Sequence, residues 1–209
     1  VSECYIMRSP KLSKADRRKA IVDTAANLFA EVGFRGGTMR ELAKRVGVTE
    51  PVLYEHFQTK SDLYAAIIED SGRQDFDKGR TILEQKAAAG DPDDFFTTLA
   101  NLIAEHQANN PNYLRLILFS ALEKHELASL CFERHATVIH QIVTAFIKSR
   151  IECGAFRQVD APLVARSFMG MTMHYMIFDQ HFGFKLVRAS RKRTISSMVD
   201  IFLHGLKSA

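Results

Sequence analysis

A chain of 209 residues with 46% hydrophobic and 25% charged positions carries enough apolar material for a sizeable core, which excludes a wholly disordered protein. Its longest apolar run, "FMGMTMHYMIF" at 168–178, is too short to span a bilayer, and the N-terminal "VSECYIMRSP" lacks the apolar stretch and cleavage site of a secretory signal. The net charge of +4 resides in residues 1–60, where 11 Lys/Arg face 7 Asp/Glu; the remainder is balanced, so the N-terminal part is expected to meet a polyanion.

Cys4, Cys131 and Cys153 are odd in number and form no CxxC pair, which argues against a disulfide framework or a cysteine zinc site and fits a reduced, cytoplasmic setting. Leaving residues 1–10 aside, Ile21, Ala25, Leu28, Phe29 and Val32 recur at helical spacing and predict a helix from Lys14 that Gly33 stops. "TMRE" at 38–41 is a capping box opening a second helix, with Leu42, Ala43 and Val46 inward and Gly47 at its end. Thr49 caps a third, with Pro51 in its first turn, that runs only to about Phe57. Helix, short helix, glycine turn and short helix is a helix-turn-helix arrangement, assigned to residues 11–60.

Residues 61–209 read as helix after helix without period-2 strands, giving an all-α chain of about nine helices. A long helix is expected from Ser61, with Thr59 or Ser61 as cap, to roughly Gly79, carrying Leu63, Ile67 and Ile68 inward. Asp91-Pro92 and Asn110-Pro111 open two more, a segment from about Glu126 to Glu152 stops near Gly154, Asp160 and Pro162 open one reaching Asp179, and the last spans about Ser190 to Leu206.

Residues 17–63, "RRKAIVDTAANLFAEVGFRGGTMRELAKRVGVTEPVLYEHFQTKSDL", resemble the tetracycline-repressor family of bacterial transcription regulators. The likeness lies in the alanine-rich first helix, "LFAEVGF", the capped second helix, the "GV" turn, "LYEHF" and the lysine three residues later. "TEP" at 49–51 departs from the family's frequent serine-lysine-glycine. A short helix braced by its predecessor can present its first turn to the major groove of double-stranded DNA. Base readout then falls on Thr49, Glu50, Pro51 and Val52. Thr49 and Val52 offer methyl groups, and Glu50 either accepts from a cytosine amino group or complements the positive end of the helix. Tyr54, His56 and Lys60 are donors suited to phosphate oxygens; the resemblance implies that role for Tyr54 and Lys60, with Thr38 adding a contact at a helix start. Arg35, Arg40 and Lys44 are candidate backbone anchors. Replacing Lys60 is expected to weaken binding to all sequences alike and to flatten the salt slope by roughly one unit.

The stretch 162–179 is apolar on nearly every face, so two surfaces must cover it. Leu163, Phe168, Met169 and Met176 there, with Ile195, Met198, Val199, Phe202 and Leu206 on the last helix, are expected to line a homodimer interface; the resemblance implies a four-helix seam, and a palindromic operator needs two copies. Phe96, Leu99, Ile103, Tyr113, Ile117, Phe119, His140, Met173 and Phe178 are candidates for a pocket that takes a small, largely apolar effector. Such an effector would favour one spacing of the two recognition helices, with helix 61–79 as the lever. His106, His135 and His140 lack metal-site spacing, so neither metal nor cofactor is expected. Motifs for hydrolases, metalloproteases and nucleotide enzymes are absent. The expected function is a DNA-binding repressor released by a ligand; a bundle that binds a protein, or an enzyme with a DNA-binding head, are the alternatives.

Overall fold

In the computed structural model, which describes residues 13–70, 73–124, 129, 132–184 and 187–207, the first helix (α1, Lys14–Gly36) starts where the Ser13 hydroxyl accepts from the Asp16 amide at 3.1 Å. Ile21, Val22, Ala25, Leu28 and Phe29 form its buried stripe. Gly33 leaves the helical region (φ 74°, ψ 176°), a conformation that only glycine adopts at low cost, so the regular helix ends there. Val32 was expected in the stripe and is instead 45% exposed. Periodicity marks a face but not how far along that face the covering helices reach.

The Thr38 hydroxyl accepts from the Glu41 amide at 3.1 Å and opens α2 (Met39–Val46). Gly47, left-handed at φ 77° and ψ 34°, closes it by donating its N–H to the Ala43 carbonyl. Next come α3 (Glu50–His56), with Pro51 in its first turn, and α4 (Lys60–Asp70). The Thr59 hydroxyl and the Asp62 carboxylate cap α4 reciprocally at 3.0 and 2.9 Å. Met39, Leu42, Ala43, Leu53, Phe57, Leu63, Tyr64 and Ile67 join the α1 stripe in one core. Each such large side chain contributes about 1.5–3 kcal/mol over leaving it in water. The N-terminal unit of the chain ends at Asp70 and a second unit begins at Ser71.

Among the described residues of the second unit, the α-helices of more than one residue are α5 (Arg73–Ala89), α6 (Pro92–Asn109), α7 (Pro111–Leu122), α8 (Thr137–Glu152), α9 (Ala161–Met176) and α10 (Arg191–His204); five-residue π-helical turns precede α8 and follow α9. Asp91, Asp160 and Ser190 cap α6, α9 and α10 through their side chains. Asn110 does not cap α7: its Nδ2 donates back to the His106 carbonyl at 3.2 Å. The helix expected over 61–79 is described as α4 up to Asp70 and as α5 from Arg73, with residues 71 and 72 outside the described residues; α5 runs on through Gly79, which keeps a helical backbone, to Ala89. The side chain of Ile68, and residues 126–128, 130 and 131 of the expected 126–152 helix, lie outside the described residues.

The second core runs through Phe95, Phe96, Leu99, Phe146, Phe168, Ile195, Val199 and Leu203. Phe95 stacks on Phe146 at 3.9 Å between centroids, and Phe96 is ringed by Phe95, Phe146, Phe168 and Phe202 at 4.8–5.9 Å. Among the described residues the one extended pairing is a single antiparallel bridge between Phe156 and Lys207. No described helix is long and apolar enough to cross a membrane.

Candidate nucleic-acid interface

Leu53 and Phe57, four apart on and just after α3, are buried and lock that helix onto the head. The Arg18 guanidinium lies over the Phe57 ring at 4.7 Å, which pins its outer edge. With those positions spent inward, Thr49, Pro51, Tyr54 and Glu55 point to solvent, and Glu50, Val52 and His56 are half-buried at the margin. Thr49 holds the N-cap position, yet its side chain makes no capping hydrogen bond. Its hydroxyl therefore has no structural duty in α3. Tyr54 is 45% exposed.

On α2, Arg40 and Lys44 are four apart, exposed and share one face, where a cation can reach a phosphate without being desolvated first. Arg45 behaves differently. Its guanidinium donates to Glu31 at 2.8 Å and to Glu41 at 3.1 Å, tying α2 to α1. The hydrogen bond it donates to Glu31, with that to Glu41 second, raises its pKa above the ordinary arginine value. Spacing alone could not have separated Arg45 from Lys44, since its partner Glu31 lies 14 residues back in the chain.

Lys60 is also engaged. Its ammonium donates to the Phe34 carbonyl, beside the Gly33 kink, and lies 4.2 Å from the Phe34 ring centroid and 5.4 Å from that of Phe29. Phe34 and Phe29 in turn pack on Tyr64 at 5.2 and 5.4 Å. The lysine closes an aromatic corner that joins the end of α1 to the start of α4. Sequence reasoning gave it a phosphate and missed this carbonyl.

In the second unit, the residues named for a pocket fall into three environments. Phe96 and Leu99 are packed core, and Ile117 is buried on α7. Ile103, Tyr113, Phe119, Met173 and Phe178 are half-buried, with Tyr113 Oη 2.9 Å from His135 Nδ1 and the Phe178 ring 4.4 Å from that of His174. His140 is likewise half-buried, with Nε2 2.9 Å from the Pro162 carbonyl oxygen. Of the residues named for a dimer seam, Phe168, Met176, Ile195, Val199 and Leu206 are buried within this chain, and Met169, Met198 and Phe202 are half-buried. Leu163 remains 59% exposed, and Ile201, which the periodicity did not single out, 70%.

A braced short helix with an outward polar face, preceded by a capped helix bearing unpaired cations, defines a helix-turn-helix DNA-binding head. Residues 21–67 match the family described as bacterial regulatory proteins, tetR family. Residues 94–205 match the C-terminal domain of AefR-like transcriptional repressors. The chain belongs to the tetR family of transcription regulators. It is 37% identical over 62 residues to the transcriptional activator FasR of Mycolicibacterium smegmatis, which spans 30% of this chain and 28% of that protein. It is 27% identical over 161 residues to the transcriptional repressor KstR2 of Rhodococcus jostii, covering 73% of this chain and 74% of that one. A TetR-family regulator from Mesorhizobium loti superposes with a TM-score of 0.70 at 19% identity over 95% of this chain and all of that chain. The ketosteroid regulator KstR2 of Mycobacterium tuberculosis gives 0.67 at 19% identity, over 95% and 98%.

Proposed function

We propose that this regulator is a repressor that grips a palindromic operator as a homodimer and is released by a small, largely apolar effector. The observation that carries the operator reading is the division of labour on α3, where Leu53 and Phe57 hold the fold and Thr49 and Tyr54 keep side chains without structural partners. Thr49, Glu50, Pro51 and Val52 read base edges. Thr38, Arg40, Lys44, Tyr54 and His56 meet phosphates. Lys60 acts chiefly as a brace, its ammonium held by the Phe34 carbonyl and ring, rather than as a phosphate contact. Repression is favoured over activation because the repressor-type C-terminal match extends over residues 94–205, whereas the likeness to the activator FasR covers only 62 residues.

Dimerisation is supported by Leu163 and Ile201, large apolar side chains left exposed on α9 and α10 while Ile195, Val199 and Leu203 on α10 are buried. Selection of bound sequences from random duplex DNA tests the operator reading. A twofold-symmetric consensus is the expected result, and enrichment of no such site would defeat it. Repeating the selection with candidate effectors tests release: loss of enrichment with one compound supports it.

A further inference from the structure

The inner face of α6 changes character along its length. Phe96, Leu99 and Ala100 sit in tight core, but Ile103 is only partly buried and, one turn later, Gln107 stands where the stripe calls for an apolar side chain. Gln107 is 5% exposed. Its Nε2 donates to the Met173 thioether on α9 at 3.8 Å, a weak acceptor, and its Oε1 has no hydrogen-bond partner. On the same helix as Met173, the buried Thr172 hydroxyl is satisfied by the Phe168 carbonyl at 3.0 Å, so a polar group at this depth normally finds a partner. Reversing the Gln107 amide does not help, because two N–H groups then take the place of the one unpaired oxygen.

We propose that the Gln107 amide is the polar anchor for the effector, a neutral, largely apolar molecule carrying a hydroxyl group; this rests on the ligand-responsive reading above. A hydroxyl donates to Oε1 and accepts from an N–H, so it completes the amide in either orientation. With Oε1 in the unpaired position, a carboxylate, which only accepts, would set its lone pairs against that oxygen and leave it unsatisfied. Ile103 and Met173, both half-buried, supply adaptable apolar walls beside the amide. Rings fill the direction toward Phe96, which leaves the Ile103 and Met173 side of the amide for the apolar body.

Titration calorimetry on the full chain tests this with two pairs of probes: 1-decanol and decyl methyl ether, and 4-cyclohexylcyclohexanol and its methyl ether. Within at least one pair the alcohol is expected to bind about tenfold more tightly than the ether, the ratio one added hydrogen bond supplies. Gln107→Leu brings that ratio to about one while the unfolding midpoint of the unliganded protein stays or rises, since removing an unpaired amide leaves nothing unsatisfied. Equal affinity of alcohol and ether in both pairs, no alcohol binding, tighter binding of decanoate than of decanol, or a Gln107→Leu variant that loses stability with its ratio intact each overturn the proposal. The last would mean a structural amide or a trapped water only. Failure to select a palindromic DNA site leaves these affinities untouched, so the two readings fail separately.

Discussion

Replacing Lys60 with methionine separates a brace from a phosphate contact. The ammonium donates to the Phe34 carbonyl and lies 4.2 Å from the Phe34 ring centroid, in a half-buried corner. A hydrogen bond involving a charged group contributes ~1.5–3 kcal/mol and a partly exposed cation–π contact ~0.5–1 kcal/mol. Methionine keeps the apolar stem and recovers part of the packing against Phe29 and Phe34. A net loss of about 2 kcal/mol in the stability of the head is therefore expected, since the Phe34 carbonyl is deprived of its donor. Urea unfolding followed by circular dichroism measures this as a lower midpoint at unchanged slope. The salt dependence of operator binding, measured where the variant is folded, is expected to keep its slope within a fraction of a unit. Unchanged stability together with a slope flatter by roughly one unit per bound protomer would refute the brace and restore Lys60 to the phosphate contacts.

Gly37→Ala is expected to destabilise the head by about 1–3 kcal/mol, because the new Cβ lands on the edge of the buried Phe29 ring. Gly47→Ala should cost only about 1 kcal/mol, as its Cβ meets nothing within 4 Å and only the left-handed backbone objects; equal losses in thermal unfolding would contradict this packing. Tyr54→Phe is expected to weaken binding of specific and non-specific duplexes alike by about fivefold for each protomer in contact, one net hydrogen bond per copy, with stability unchanged. A loss confined to one sequence in a fluorescence-anisotropy titration would make Tyr54 a base reader instead. Paired Leu163→Arg and Ile201→Arg substitutions should yield a folded monomer in sedimentation, since both side chains are exposed within the chain. Phe168→Ala, in contrast, removes a core ring and should cost ~3–5 kcal/mol of stability; a persistent dimer in the double variant would place the seam elsewhere.

Local signals made the head readable. The Thr38 hydroxyl and the glycines at 33 and 47 act within three or four residues, so their spacing in the chain is already their geometry. Arg45 and Lys60 were not readable in the same way. Each is committed to an atom 14 or 26 residues away, and a basic residue looks the same in sequence whether its charge is spent or available. The α9 stretch failed for another reason. A helix apolar all round gives no phase, so the stripe facing its own core (Phe168, Met176) and the one left outside (Leu163) could not be told apart until α6 and α10 were packed against it. Phe96 and Tyr113 show the same limit for the pocket, because side-chain chemistry marks what can line a cavity and only packing decides which end of the bundle is filled.

The missing cap at Thr49 has a practical corollary. Because α3 is fastened from beneath by Leu53 and Phe57 and draws nothing from the side chain that begins it, its leading turn behaves like movable type in a fixed frame. Libraries randomised there should survive folding at high frequency.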